Sequence, residues 1–366
     1  MKRLDKTLLF VIPLSILIFV YFEDHRGYTD ELTDFASNEA WYGQFQSELT
    51  PPENCRPADQ TFLTFLEWFV VYSSKEQAEY FINATSTSFP YRQHVKKYWE
   101  AVDFIRRKTT DKYPFNKDYW LMIDFIGYST SLEYLAKAFY ENIFGRVSIY
   151  LKGEKTSWDD HFYQQYTEAY VDFIFSKPWY EFSYGRTLYQ YWATTKFDSS
   201  GIIRNIERKI FITSELFLKW IYASVIRLST ETLYGEAGDF TFVILDNIYP
   251  EISQSADIIF VKSLVNNQTL VKLPRYKAFT DCARELSKHN VNFVEIAGNS
   301  NAILITVDFN KNKYKDLSMC EVLFKEHIST QNEIIRVTYV TTVVELGRFI
   351  QSCEANGGLI VHIYDY

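Results

Sequence analysis

No run of basic residues occurs in this sequence. The 366-residue chain instead carries a formal net charge of −8 with a pI near 5.4. Binding nucleic acid relies on Lys and Arg clustered at phosphates, so no nucleic-acid partner is expected. Cysteine is sparse: Cys55, Cys282, Cys320 and Cys353 stand far apart, without metal-pair spacing and without the density of a disulfide scaffold. Cys282 and Cys353 fall on the apolar side of predicted helices, the setting of buried free thiols. There is no glycine-rich phosphate loop, no nucleophile elbow and no pair of His flanking a Glu on a helix. The six histidines are scattered, and no cofactor or metal is expected. Asp159, Asp160 and His161 are adjacent, and neighbours on a helix diverge, so they read as acids at the positive end of a helix dipole rather than as ligands. Asn83-Ala84-Thr85 and Asn267-Gln268-Thr269 fit the glycosylation sequon, a short pattern that recurs by chance.

The N-terminus carries what the rest of the chain lacks, an uncharged apolar run. Lys2, Arg3 and Lys6 precede residues 7–22, and Glu23 and Asp24 follow at once. That asymmetry orients a transmembrane helix with its N-terminus in the cytoplasm and the body outside it. Phe19, Val20, Tyr21 and Phe22 occupy the place where a cleaved signal would need small residues, so the run reads as an uncleaved single-pass anchor. The chain divides into a cytoplasmic tip and anchor (1–24), a juxtamembrane linker with one short helix (25–59), a helical domain (60–238) and a C-terminal domain (239–366).

Aromatic residues make up 18% of the chain. Most recur at helical spacing beside Leu and Ile, which predicts a ring-packed helical core over a ring-rich surface. Ser73 with Glu76, and Ser157 with Asp160, have the spacing of capping boxes. A long helix is expected over 116–145, with a kink at Gly127, and another over 202–233. Residues 120–140 and 211–228 are hydrophobic almost all round. Each holds three charges, however, and these are costly at a bilayer centre, so both read as buried helices of a bundle, with lying on the membrane surface as the alternative.

Beyond Gly238 the pattern becomes β. Strands are expected at 240–245, 258–265, 269–273, 293–296, 302–307, 322–325, 334–340 and 359–363, with turns at Asn266-Asn267 and Gly298-Asn299. Two helix–strand units superpose at one constant offset: Tyr276 with Val343, Phe279 with Leu346, Ala283 with Ile350, Leu286 with Cys353, Asn290 with Gly357 and Val294 with Val361. The fold class expected is α+β: an N-terminal transmembrane anchor, an aromatic-rich all-α domain, and a C-terminal ferredoxin-like α+β sandwich with extra strands. Strand alternation would place Phe293, Ile360 and Tyr364 on the face away from the helices. That face is too apolar for water, and so should be covered by the helical domain, a second subunit or the strand near Phe240.

One constellation stands out. Glu133, Lys137 and Glu141 form a charged stripe on an apolar helix, with Arg146 beyond its end. Arg204, Glu207, Arg208, Glu215 and Lys219 mark the helix over 202–233. Charges on apolar helices must be paired or solvated. These nine residues either neutralise one another between helices, line a polar ligand-binding cleft, or face solvent. Trp179-Tyr180-Glu181-Phe182 reads as a packed corner.

The strings Thr61-Phe62-Leu63-Thr64-Phe65-Leu66-Glu67-Trp68, Tyr113-Pro114-Phe115-Asn116, Tyr140-Glu141-Asn142, Pro178-Trp179-Tyr180-Glu181-Phe182, Arg204-Asn205-Ile206-Glu207-Arg208-Lys209 and His362-Ile363-Tyr364-Asp365-Tyr366 together resemble a family of uncharacterised bacterial membrane-anchored proteins. The resemblance implies an inner-membrane anchor and a periplasmic body, and assigns no residue a role. The leading functional expectation is a non-enzymatic envelope module, with an envelope protein, a lipid or a second copy bound through the C-terminal sheet as partner. One alternative is an enzyme acting on a lipid at the membrane surface, with Glu133, Glu141 or Glu215 as acid or base and Arg204 or Arg208 on an anionic group. The other is a ligand-sensing or self-associating regulatory module.

Overall fold

The computed structural model describes residues 49–110, 112–152, 157–197, 201–233, 240–246, 257–317, 320–328 and 330–364. The anchor expected over 7–22 and most of the expected linker lie outside the described residues. Among those described, no helix is long and apolar enough to cross a membrane.

The helical part comprises α1 (Gln60–Asn83), α2 (Tyr91–Thr109), α3 (Lys117–Tyr140), α4 (Arg146–Lys152), α5 (Trp158–Ile174), α6 (Tyr184–Thr194) and α7 (Ile202–Leu233). Asn116 caps α3 by accepting from the Tyr119 amide, and Ser157 and Asp160 close a reciprocal capping box on α5. The other expected box is absent, because Ser73 and Glu76 sit inside α1, where their side chains are engaged by tertiary partners. The helix expected over 116–145 is interrupted, although not at Gly127. Gly127 lets Tyr98 and Trp99 approach its backbone closely, and the break is a π turn, Glu141–Gly145, before α4. The expected aromatic core is present: Phe62, Phe65, Trp68, Phe69, Tyr98, Trp99, Tyr163 and Tyr191 belong to one buried cluster.

The strands are β1 (Phe240–Asp246), β2 (Ile259–Ser263), β3 (Gln268–Pro274), β4 (Asn292–Ile296), β5 (Ala302–Asn310), β6 (Glu321–His327), β7 (Ile334–Thr342) and β8 (Leu359–Ile363), with α8 (Lys277–Lys288) before β4 and α9 (Leu346–Ala355) before β8. Asn266 and Asn267 take the left-handed turn conformation expected of them, and so does Gly298. The strands do not build the ferredoxin-like sandwich, in which one sheet would carry both helices. They divide into two antiparallel four-stranded sheets, ordered β2-β3-β1-β4 and β6-β7-β5-β8. Both helices touch both sheets, α8 meeting β3 and β8 and α9 meeting β4, β7 and β8, and the two helices also pack on each other. The constant offset therefore marks a duplication of a whole βββαβ unit. Even the irregularities repeat: register shifts between Ile244/Leu245 and Phe260/Lys262 in the first sheet correspond to those between Thr306/Val307 and Val322/Phe324 in the second.

Those bulges overturn the expected strand parity. Val294 and Val361, matched in the sequence, are the extra residues on β4 and β8. A bulge puts residues on both sides of it onto one face. Phe293 with Ile296, and Ile360 with Ile363, accordingly join the buried cluster around α8 and α9. Tyr364 lies on the opposite face, against α1. Cys353 is buried in the α9 core, whereas Cys282 is only half-buried.

The face of the second sheet opposite α9 rests on α1. Leu304, Val340, Leu323 and Tyr364 belong to the helical core. Trp68 stacks on His362 with ring centroids 3.5 Å apart. Thr61 Oγ1 donates to the Tyr364 carbonyl at 3.0 Å and accepts from the Leu304 amide at 3.0 Å. The segment 239–366 expressed alone would expose this face. It is expected to aggregate or to bind an apolar-surface dye in size-exclusion and fluorescence assays. A soluble, dye-negative monomer would show that the sheet does not depend on α1.

Candidate functional site

The π turn and the packing of α3 against α7 bring the two charged stripes together. The helices run in opposite senses: the Phe125 ring lies 6.1 Å from Tyr222, Lys137 meets Glu215, and the Tyr140 ring lies 4.9 Å from Phe211. The charges fall into two groups along this seam.

At one level Glu133, Lys137, Glu215 and Lys219 close a ring of alternating charge. Lys137 Nζ lies 2.7 Å from Glu133 and 3.0 Å from Glu215; Lys219 Nζ lies 3.0 Å from Glu133 and 3.2 Å from Glu215. Tyr163 donates to the remaining Glu215 oxygen at 2.8 Å. One turn away, Arg208 donates to Glu141 at 3.0 Å and to Glu207, while Arg204 pairs with Glu207 at 2.9 Å and with Asp160. Ser148 and Ser86 complete the hydrogen bonds at 2.9 and 3.2 Å. Gly145 is needed here, because the Glu141 carboxylate lies back against it where any side chain would collide. Arg204 and Arg208 are among the largest fully buried side chains described. Arg146 stays out of the seam, exposed at the start of α4. Asp159 is engaged by Lys209 and by the Tyr191 hydroxyl at 2.7 Å.

Of the carboxylates named in the enzymatic alternative, Glu133 and Glu215 are each held down by Lys137 and Lys219 against the upward push of burial. Burial alone would raise Glu215, but Lys137 and Lys219 hold it below the ordinary carboxylate value. Burial would likewise lower Lys137, but Glu133 and Glu215 hold it well above the ordinary lysine value. Glu207, also buried, is held down by Arg208 and Arg204. Ring members fixed in opposite charged states are poor proton carriers near neutrality.

A second cluster was not legible as a site. Ser73 Oγ lies 3.2 Å from His94 Nδ1, and His94 Nε2 lies 3.8 Å from Glu76, which also accepts from Arg336 at 3.2 Å. Arg336 in turn grips Asp308 through two bonds of 2.9 and 3.0 Å. The order Ser–His–Glu imitates a nucleophilic triad. All three side chains are buried, however, and the adjoining cavity measures about 10 Å³, too small for a substrate. Burial, then Lys97 and Arg336, push His94 down to about 3. Burial and the Glu326 charge push Glu76 up to about 8, against Arg336 and Lys97. The only signal in the sequence was Ser73 and Glu76 three apart, which a capping box explains equally well. The chain matches no protein-family model, no curated protein and no solved structure.

Two outcomes follow from this geometry. Arg208→Met strands Glu141 in the interior and is expected to cost about 3–5 kcal/mol in denaturant unfolding. Adding Glu141→Leu should recover much of that loss, and failure to recover would mean the pair is not the source of the cost. In the second cluster, the raised Glu76 contributes stability that is present below about 4.5 and is lost as pH climbs towards about 8. Thermal melts of Glu76→Gln against the parent should therefore show the variant gaining relative stability from pH 5 to pH 8. A pH-independent difference would contradict the assignment.

Proposed function

We propose that the chain is a non-catalytic module of the bacterial envelope. Its body lies on the extracytoplasmic side, tethered by the apolar run at 7–22, and it lays one helical layer on the bilayer. The observation that carries this reading is the outer surface of α7. Ile203, Ile206, Ile210, Phe217, Ile221, Val225 and Leu228 recur at helical spacing along one stripe, and every one is exposed. Neighbouring helices extend the layer with Leu121, Phe125, Phe139, Ile143 and Val147 on α3 to α4, and Trp192 on α6. A contiguous apolar surface on this scale marks an interaction face.

Charge supports lipid as the partner. On α6 and on α7 as far as Leu228, both carboxylates, Glu207 and Glu215, are buried, while Arg186 and Arg227 are exposed. An apolar stripe with exposed cations suits an anionic lipid surface, in a chain whose net charge is negative. Because the seam satisfies its charges internally, the reading gives its eight residues, all of the stripe except Arg146, a structural part beneath the layer.

The test is vesicle flotation of the chain from residue 25 onward with phosphatidylglycerol-containing liposomes. The parent should float, and Phe217→Asp combined with Ile221→Asp should reduce bound protein at least tenfold while keeping the parent's far-ultraviolet spectrum. A parent that stays in the aqueous fraction, or that forms a concentration-dependent dimer instead, would refute the lipid reading.

A further inference from the structure

The exposed apolar layer changes in chemistry from one side to the other. α7 lies between α3 and α6. On one flank its Tyr222 and Phe211 meet Phe125 and Tyr140 of α3. On the other flank Trp220 packs against Gly185 of α6, and the Trp192 indole donates to Thr213 at 3.2 Å. The outer edges of the layer are therefore α3, with the turn into α4, and α6.

The α3 edge is apolar throughout. Between Tyr119 and Phe144 its exposed side chains include Leu121, Met122, Phe125, Phe139, Ile143 and Phe144, and none of the exposed residues there is charged. The exposed residues of α7 over 201–225 are likewise uncharged. The α6 edge is amphipathic. It exposes Arg186, Tyr189, Gln190 and Trp192, with Tyr189 at 75%. Trp220 is half-exposed beside it, Trp179 stacks on Tyr222 with ring centroids 5.1 Å apart, and Arg227 donates to the Tyr180 carbonyl at 2.8 Å. Among the described residues of 179–228, the exposed cations are Arg186, Lys196 and Arg227, against one exposed carboxylate, Glu181.

We propose that the layer sits on the bilayer at a tilt, an inference that rests on the lipid reading. The α3 edge and the stripe of α7 enter the acyl region, by about 5–10 Å. The α6 edge rides at the headgroups, where Trp and Tyr place an apolar body and a polar handle on their preferred sides. Arg186, Lys196 and Arg227 extend their charges from apolar stems to lipid phosphates. The ligand at this edge is an anionic phospholipid headgroup, met through its phosphate. The two edges thus divide the work: α3 sets the depth, and α6 responds to the charge of the surface.

The test uses the full chain reconstituted into phosphatidylglycerol-containing vesicles. An environment-sensitive fluorescent amino acid replaces Leu121, Phe139, Ile210, Tyr189 or Trp192, one position at a time, and lipids brominated near the chain ends or near the headgroups report its depth. Leu121, Phe139 and Ile210 should be quenched at least about twofold more by the deep bromine, and Tyr189 and Trp192 at least about twofold more by the shallow one. Combining Arg186→Gln with Arg227→Gln should abolish the shallow quenching at Tyr189 and Trp192 while Leu121 stays deep. Shallow quenching unchanged in that variant would overturn the role given to the cations. Equal depth at all five positions, or α6 the deeper edge, would overturn the tilt and leave the lipid reading standing. Quenching at none of the five would refute the lipid reading itself, and the tilt with it.

Discussion

A charged side chain on an apolar helix has to find its counter-charge, and that requirement sets the architecture of the helical part. Glu133, Lys137, Glu215 and Lys219 satisfy one another only when α3 and α7 run in opposite senses at a single register. A slip of one helical turn would set like charges face to face in the interior, at a cost of several kcal/mol. The Arg204, Arg208, Glu207 and Glu141 group repeats the constraint further along the seam. The π turn at Glu141–Gly145 fits the same logic, since Gly145 leaves room for the carboxylate that meets Arg208.

Satisfying the charges inside has a consequence outside. With its ionic stripe turned inward beside Phe211, Ile212, Leu216 and Ala223, α7 presents Ile203, Ile206, Ile210, Phe217, Ile221 and Val225 outward. The helix is therefore apolar on both sides of its ionic stripe, in the core and outside it, and an exposed apolar surface of this kind marks an interaction face. Ion pairing in the seam and exposure on the surface are two results of one helix orientation.

The C-terminal half shows how a duplicated unit becomes asymmetric. Both copies share strand order and bulge positions, yet only the second lies beneath α1. Its face has accordingly become mixed, with the Arg336–Asp308–Glu76 group and the Thr306–Thr338 hydroxyl pair at 2.8 Å beside Leu304 and Val340. The first copy keeps Phe242, Ile244 and Leu270 at the equivalent positions. The difference reflects what each face meets: buried hydroxyls and charges are tolerated only where a neighbour supplies partners.

Much of this was legible without coordinates. Local rules placed every strand within a few residues, found the Ser157–Asp160 cap and the Asn266-Asn267 turn, and detected the repeat from its helices. The stripes themselves were visible as four-residue spacings. Strand parity was not legible, because a bulge at Val294 or Val361 leaves no mark on an apolar alternation and is defined only by the partner strand. Nor was the part played by Ser73 and Glu76, whose spacing fits a cap until His94 and Arg336 arrive from other elements. The sequence by itself determined which segments are helix or strand, where the charges lie and that a unit is repeated, since these depend on contacts a few residues apart. Only the tertiary structure decided that the repeats form two sheets, that the stripes face each other and that α7 leaves an apolar stripe exposed, since each of these is set by partners distant in the chain.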